Sequence, residues 1–186
     1  MKKIIACIIL LGTISVQAQD IKNFTLTNIK DGKKVSLADY ASAKAIVIVF
    51  TRHECPFDNY YKERIKGFVQ AYSGSVQFLL INSNTEAEES KEQMAIHYTD
   101  VPVPYLADKD QVVMTSLGAR KTPEVFLLKS AGGKFLLSYS GAIDDNPQEA
   151  TDVRQHFLQD AIDQVLAGQK VEVSTQRPTG CTTRKN

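Results

Sequence analysis

This chain of 186 residues has no Cys-x-x-Cys pair; its three cysteines, Cys7, Cys55 and Cys181, stand far apart. The three histidines, His53, His97 and His156, are as scattered. A structural zinc centre needs thiolate or imidazole ligands at short spacing, so no metal site is expected, and no cofactor is implied. Charge bias is lacking too: 22 basic against 21 acidic residues leave a net charge of +1. Without a basic patch or an acidic tract, nothing argues for nucleic acid as a partner. Internal repeats, linkers and low-complexity segments are also missing. What is present, 43% hydrophobic and 23% charged residues, is the composition of one globular domain large enough to build its own core.

The first residues stand apart from that domain. Lys2 and Lys3 precede an apolar stretch from Ile4 to Val16, too short to span a bilayer comfortably, and Val16-Gln17-Ala18 fits a cleavage site. Residues 1–18 therefore read as a signal peptide, and the mature chain as exported, periplasmic or secreted, with no membrane attachment after cleavage. A lipobox reading of Ile4-Ile5-Ala6-Cys7 is disfavoured because almost no apolar region precedes Cys7. Export leaves Cys55 and Cys181 in an oxidising compartment, where a pair of cysteines can bridge; the sequence does not show that these two meet.

The chain is organised around Thr51-Arg52-His53-Glu54-Cys55-Pro56-Phe57. Before it, Ala45 to Phe50 is short, apolar and β-branched, a strand buried on both faces. After it, Tyr61, Ile65, Phe68, Val69 and Tyr72 share one helical face. Cys55 thus falls at a strand-to-helix junction, with Pro56 in the first turn, where its missing N–H costs nothing. A helix N-terminus favours the thiolate, and the polar residues before Cys55 suggest an exposed turn. A protonated His53 would lower the thiol pKa and Glu54 would raise it.

Elsewhere, Phe24–Ile29 and Val35–Leu37 around Asp31-Gly32 read as an N-terminal hairpin, and Val76–Ile81 as a strand. Glu86–Tyr98 reads as a surface helix with a solvated charged face. Val101–Leu106 is extended around its two prolines. Gln111–Leu117 reads as a helix stopped by Gly118. Glu124–Leu128 and Phe135–Tyr139 form a hairpin, and a last helix is expected from an N-cap at Thr151 to Gly168. A polar tail, 171–186, read as flexible from its Pro178 and Gly180, ends the chain and carries Cys181; the domain proper is 19–170. Strands alternating with helices predict an α/β fold, a central mixed β-sheet flanked by helices.

Three local patterns resemble one family. They are Glu54-Cys55-Pro56 with Tyr60 or Tyr61 a turn later, Thr122-Pro123-Glu124-Val125-Phe126, and Gly141-Ala142-Ile143-Asp144-Asp145-Asn146 followed by Gly180-Cys181. Together they resemble the exported thioredoxin-like and peroxiredoxin-like redoxins of the alkyl hydroperoxide reductase/thiol-specific antioxidant group. The resemblance implies a thioredoxin-like fold, Cys55 as nucleophile, and Pro123 as the cis-proline facing it, its backbone offering strand-like hydrogen bonds to a thiol substrate. Thr51, Arg52, His53 and Thr122 are then supporting residues. The implied partners are a peroxide or a protein or small-molecule thiol, with an external thiol as electron donor.

The departures leave alternatives open. Asp58 stands where a thioredoxin has its second cysteine. Thr51 lies one residue too far upstream for the peroxidase threonine, and Pro123 takes the place of the peroxidase arginine, for which Arg120 or Arg52 would have to substitute. Peroxide attack would convert the Cys55 thiolate to a sulfenic acid that Cys181 alone could capture. The alternative to this redox role is Cys181 as a structural staple, with the chain a non-catalytic binding domain. The loop Asp144-Asp145-Asn146-Pro147 is explained by a turn more simply than by a cation.

Overall fold

The computed structural model describes residues 19–97 and 100–185, so the proposed signal peptide, Cys7 and Tyr98 lie outside the described residues. In chain order the strands are β1 Thr25–Asn28, β2 Lys34–Ser36, β3 Ala45–Phe50, β4 Val76–Asn82, β5 Tyr105–Ala107, β6 Lys121–Thr122, β7 Glu124–Ala131, β8 Lys134–Gly141, β9 Thr175–Gln176 and β10 Cys181–Thr182. The helices are α1 Pro56–Ala71, α2 Lys91–Met94, α3 Val112–Leu117 and α4 Phe157–Leu166. Eight strands form one mixed sheet in the order β2-β1-β5-β4-β3-β7-β8-β9, while β10 and β6 form a separate pair.

The apolar run of β3 has a direct cause. Its odd-numbered residues, Val47 and Val49, pack with Tyr61 and Ile65 of α1 and with Leu158 and Ile162 of α4. Its even-numbered residues, Ile46, Ile48 and Phe50, pack on the opposite side with Val113, Met114 and Leu117 of α3. With both faces covered, neither set can be polar. The sheet is mixed because β3 runs parallel to β4 but antiparallel to β7. Gly118, at φ 76°, closes α3 in the left-handed conformation that glycine adopts without penalty.

Three expectations are corrected. The segment from Glu86 is not one surface helix: it breaks into a 3-10 turn at Ala87–Glu89 and the short α2, and Glu89 is fully buried. The last helix starts at Phe157, not after Thr151. Asp145 accepts hydrogen bonds from the backbone N–H groups of Arg154 (3.0 Å) and Gln155 (3.1 Å), which holds that stretch out of the helix. The tail is not loose, since β9 joins the large sheet alongside β8 and β10 pairs with β6. Close approach is possible at Gly141 because it lacks a side chain; a Cβ there would fall 1.7 Å from the Gln176 carbonyl oxygen.

Candidate active site

Cys55 is the N-cap residue of α1, extended at φ −111° and ψ 119°, with Pro56 beginning the helix. The Cys55 side chain makes no capping hydrogen bond at that end. The positive end of the helix dipole therefore lies at Cys55. Its Sγ is bonded to that of Cys181 across 126 residues of sequence. The same Sγ lies 3.2 Å from the carbonyl oxygen of Thr122. The Thr122–Pro123 bond is cis.

The turn expected before Cys55 is present but is exposed only at Glu54, and the cysteine itself is covered. Cys55 has no accessible surface, and the His53 side chain is only 7% exposed. The cover comes from two sides: the tail lies over the sulfur, and the Glu86–Met94 segment folds against the turn. Cys181 is half-buried.

Glu89 anchors that turn and carries no signal in the sequence. Its carboxylate accepts from the backbone N–H of His53 (3.3 Å) and Glu54 (3.0 Å) and from the Asn82 amide (2.7 Å). Arg52 Nε stands 3.4 Å and His53 Nδ1 3.0 Å from its oxygens. Arg52 therefore faces Glu89, with Glu86 at 3.9 Å as its second partner. The His53 ring lies between carboxylates, with Glu54 at 3.4 Å from Nε2, and stacks on His97 at 4.1 Å. Burial, then the neighbouring His53, push the His97 pKa down. Lys109 closes the far side, donating to Asn82 Oδ1 (3.0 Å) and to the carbonyls of Asn84 (2.7 Å) and Glu89 (2.6 Å). Glu89→Ala removes the buried acceptor of two backbone N–H groups and of the Asn82 amide, so it should cost roughly 3–5 kcal/mol in chemical denaturation. Glu88→Ala, at an exposed neighbour, should stay within about 0.5 kcal/mol of the parent.

Asp58, one turn after Cys55, was legible only as a missing cysteine. It is fully buried, and burial pushes its carboxyl up to about 8, with Glu89 adding to the rise. The Thr51 and Thr122 hydroxyls and the Arg52 backbone work against that rise by hydrogen bonding. A neutral acid therefore sits among the supporting residues at pH 7. Its position three residues before Tyr61, on the inner face of α1, was the available clue. Asp144, by contrast, is a structural anchor: it accepts from Tyr61 Oη and Arg64 Nη1, each at 2.6 Å.

Of the sequence-derived site residues, Cys55, Cys181 and Thr122 meet at the bridge, and Thr51 and Thr122 converge on Asp58. Pro123 follows Thr122 directly. Arg52 and His53 turn toward Glu89, and Arg120 is exposed.

Residues 18–163 match the model of the AhpC/TSA family. The chain belongs to the AhpC/TSA family. The match takes in Cys55, Thr122 and Pro123 but stops short of Cys181. Among solved structures, an uncharacterised conserved protein from Geobacillus kaustophilus is 28% identical with a TM-score of 0.82, covering 94% of each chain. A hypothetical protein from Sinorhizobium meliloti has the same identity and TM-score, with 94% of this chain and 97% of that one covered. An exposed lipoprotein thioredoxin from Streptococcus pneumoniae, 19% identical with a TM-score of 0.59 over 79% of this chain and 99% of its own, shares the fold. No curated protein matches the sequence significantly. Family, thioredoxin-like fold and the Cys55–Cys181 disulfide together make this AhpC/TSA member a protein of the thiol oxidoreductase kind.

Proposed function

We propose that the protein is an exported thiol–disulfide oxidoreductase in which Cys55 is the nucleophile and Cys181 the resolving cysteine. The observation that carries this reading is the seating of Cys181: bonded to Cys55 while its own backbone pairs with Thr122. In the reduced protein the Cys55 thiolate attacks a partner disulfide, forms a mixed disulfide and releases one partner thiolate. Cys181 thiolate then attacks Cys55 Sγ, the second partner sulfur leaves, and the intramolecular bridge forms. An external dithiol donor returns Cys55 and Cys181 to thiols. Asp58 is the group near the junction able to give a proton to a departing sulfur and take one back. Thr51, Thr122 and Pro123 are supporting residues that shape the floor of the site.

Export rests on the Lys2-Lys3 and Ile4–Val16 pattern. No helix of the described residues is long and apolar enough to cross a membrane.

Peroxide reduction, with Cys181 capturing a Cys55 sulfenic acid, is the second reading, and the family membership favours it. Against it stands the engagement of Arg52 with Glu89 and Glu86, which commits that guanidinium to two carboxylates and not to a peroxide. The two readings separate in stopped-flow oxidation of the reduced protein. Exchange predicts that a protein disulfide oxidises the Cys55–Cys181 pair at least about tenfold faster than equimolar hydrogen peroxide. The reverse order would make the protein a peroxidase.

A further inference from the structure

The docking of the tail gathers cations that are far apart in the chain. Arg120 and Lys121 belong to one side of the β6–β10 pair, and Arg184 and Lys185 follow Cys181 on the other. Lys121 lies opposite Thr182, and the Thr183 N–H donates to the Arg120 carbonyl at 3.0 Å, so both pairs flank one short ribbon. Arg177 stands four residues before Cys181, and residues 173–186 contain no acid. Elsewhere Arg52, Lys62, Arg64 and Lys66 each meet a carboxylate. Arg120, Lys121, Arg177, Arg184 and Lys185 are in no ion pair among the described residues. Lys121 Nζ donates to the neutral Thr182 Oγ1 at 3.0 Å, and the other four are exposed. Of the acids along these segments, Glu124 is buried and accepts from the backbone N–H groups of Arg120 (2.7 Å) and Lys121 (2.9 Å). Glu54 lies 3.4 Å from His53 Nε2, and Asp110 is exposed beside Gln111. All five cations are within four residues of Cys181 or of Thr122, whose carbonyl lies 3.2 Å from Cys55 Sγ. Their backbones are thus within roughly 14 Å of the bridge, inside the Debye length of about 30 Å at 0.01 M salt.

We propose that this cationic ribbon is the docking surface for the electron donor, a polypeptide whose reactive dithiol is flanked by acidic side chains. The inference rests on the thiol–disulfide reading and adds the class of donor to it. The ribbon is assembled only while the tail is seated, as it is in the oxidised protein that the donor must meet. Cations on both sides of the bridge suit a polypeptide carrying several carboxylates better than one small thiol. Complementary charge raises the rate of encounter. A donor thiolate then attacks the bridge, forms a mixed disulfide with one protein cysteine and frees the other as thiolate. The donor's second thiolate attacks the mixed disulfide and closes the donor's own disulfide. Two electrons pass from the donor dithiol to the bridge, and the two protein sulfurs take up the two protons that the donor gives up.

The test uses the oxidised full-length protein. The probes are capped heptapeptides with a central cysteine between glycines and two glutamates, two glutamines or two lysines at each end, together with mercaptosuccinate, a small dianionic thiol. Bridge opening is followed by acid quenching, alkylation and mass spectrometry. Each rate is divided by that thiol's rate with uncharged hydroxyethyl disulfide, which cancels differences in intrinsic reactivity. At about 0.01 M ionic strength the glutamate peptide should open the bridge at least about tenfold faster than the lysine peptide, with the glutamine peptide between them. At about 0.5 M the gap should shrink to within about twofold. Lys121→Gln/Arg184→Gln/Lys185→Gln should remove most of the low-salt gap and leave the glutamine peptide's rate within about twofold of the parent. Equal rates for the charged peptides at low salt, or a gap that survives in the triple variant, would overturn the docking proposal and leave thiol exchange standing. Mercaptosuccinate as fast as the glutamate peptide would overturn the polypeptide donor. A bridge that no thiol opens, while all of them reduce hydroxyethyl disulfide, would remove the thiol-exchange reading and this one with it.

Discussion

Cys55→Ser is expected to abolish thiol turnover, with a loss on the order of 10³-fold or more, since a hydroxyl cannot replace the thiolate in disulfide exchange. Cys181→Ser should behave differently. It keeps the first attack but stops at the mixed disulfide, so a single equivalent of partner remains attached to Cys55 on a non-reducing gel. Both variants lose the same cross-link. Closing a loop of this length restricts the unfolded chain by roughly 5 kcal/mol in the chain-entropy model, so both should show similar drops in stability of up to that size. Matching stability losses with different chemical phenotypes would separate the nucleophile from its resolving partner. If instead the parent shows no thiol turnover and both variants lose only stability, the bridge is a staple and the domain a binding module.

The second large effect concerns Asp58. An unfolded aspartate ionises near pH 3.9, whereas the buried Asp58 carboxyl is held at about 8. Between those values the folded protein keeps a proton that the unfolded chain has released. Stability from this group is complete below about pH 4 and falls as pH rises toward 8, with a slope of at most about 1.4 kcal/mol per pH unit. Accumulated over the window, the loss is on the order of 5 kcal/mol. Asp58→Asn cannot ionise and should remove this slope, so the variant gains on the parent steadily from pH 4 to pH 8. Denaturant midpoints of the two oxidised proteins across that range check the point. The Asp100 carboxyl, held down to about 2 chiefly by its bond to Lys66, has the opposite sign but is common to both proteins and cancels. Parallel curves would mean that Asp58 is already ionised near neutral pH. In turnover, loss of a neutral acid beside the bridge should slow disulfide opening most below pH 8, where the parent still holds its proton.

The parts of this account that were legible in sequence share a property: their physics is local. A six-residue apolar strand, a proline-initiated amphipathic helix and a cysteine between them define β3, α1 and the N-cap of Cys55 without reference to the rest of the chain. The Gly118 stop of α3 is equally local. The misses are long-range. Glu89 was read as a solvated charge because its backbone partners, His53 and Glu54, lie 36 and 35 residues away. The start of α4 moved because Asp145 takes backbone N–H groups that a helix would need, a contact that propensity does not encode. The tail was read as loose because strands of two residues have no period to detect, and Gly180 looked like flexibility when its role is close approach. Pairing of Cys55 with Cys181 was raised by the oxidising compartment and left open, since nothing local marks two residues 126 positions apart as neighbours.

The central claim is that the Cys55–Cys181 bond opens and closes during each turnover. The direct test is rapid acid quenching of the wild-type protein at successive times after reduced protein is mixed with a protein disulfide, with alkylation of free thiols and non-reducing mass spectrometry. The account predicts a transient partner adduct on Cys55, followed by the Cys55–Cys181 peptide pair appearing at the rate at which reduced partner is released. Cys55 and Cys181 that both stay free thiols while partner is reduced, or a partner adduct on Cys181 with Cys55 never modified, would contradict it.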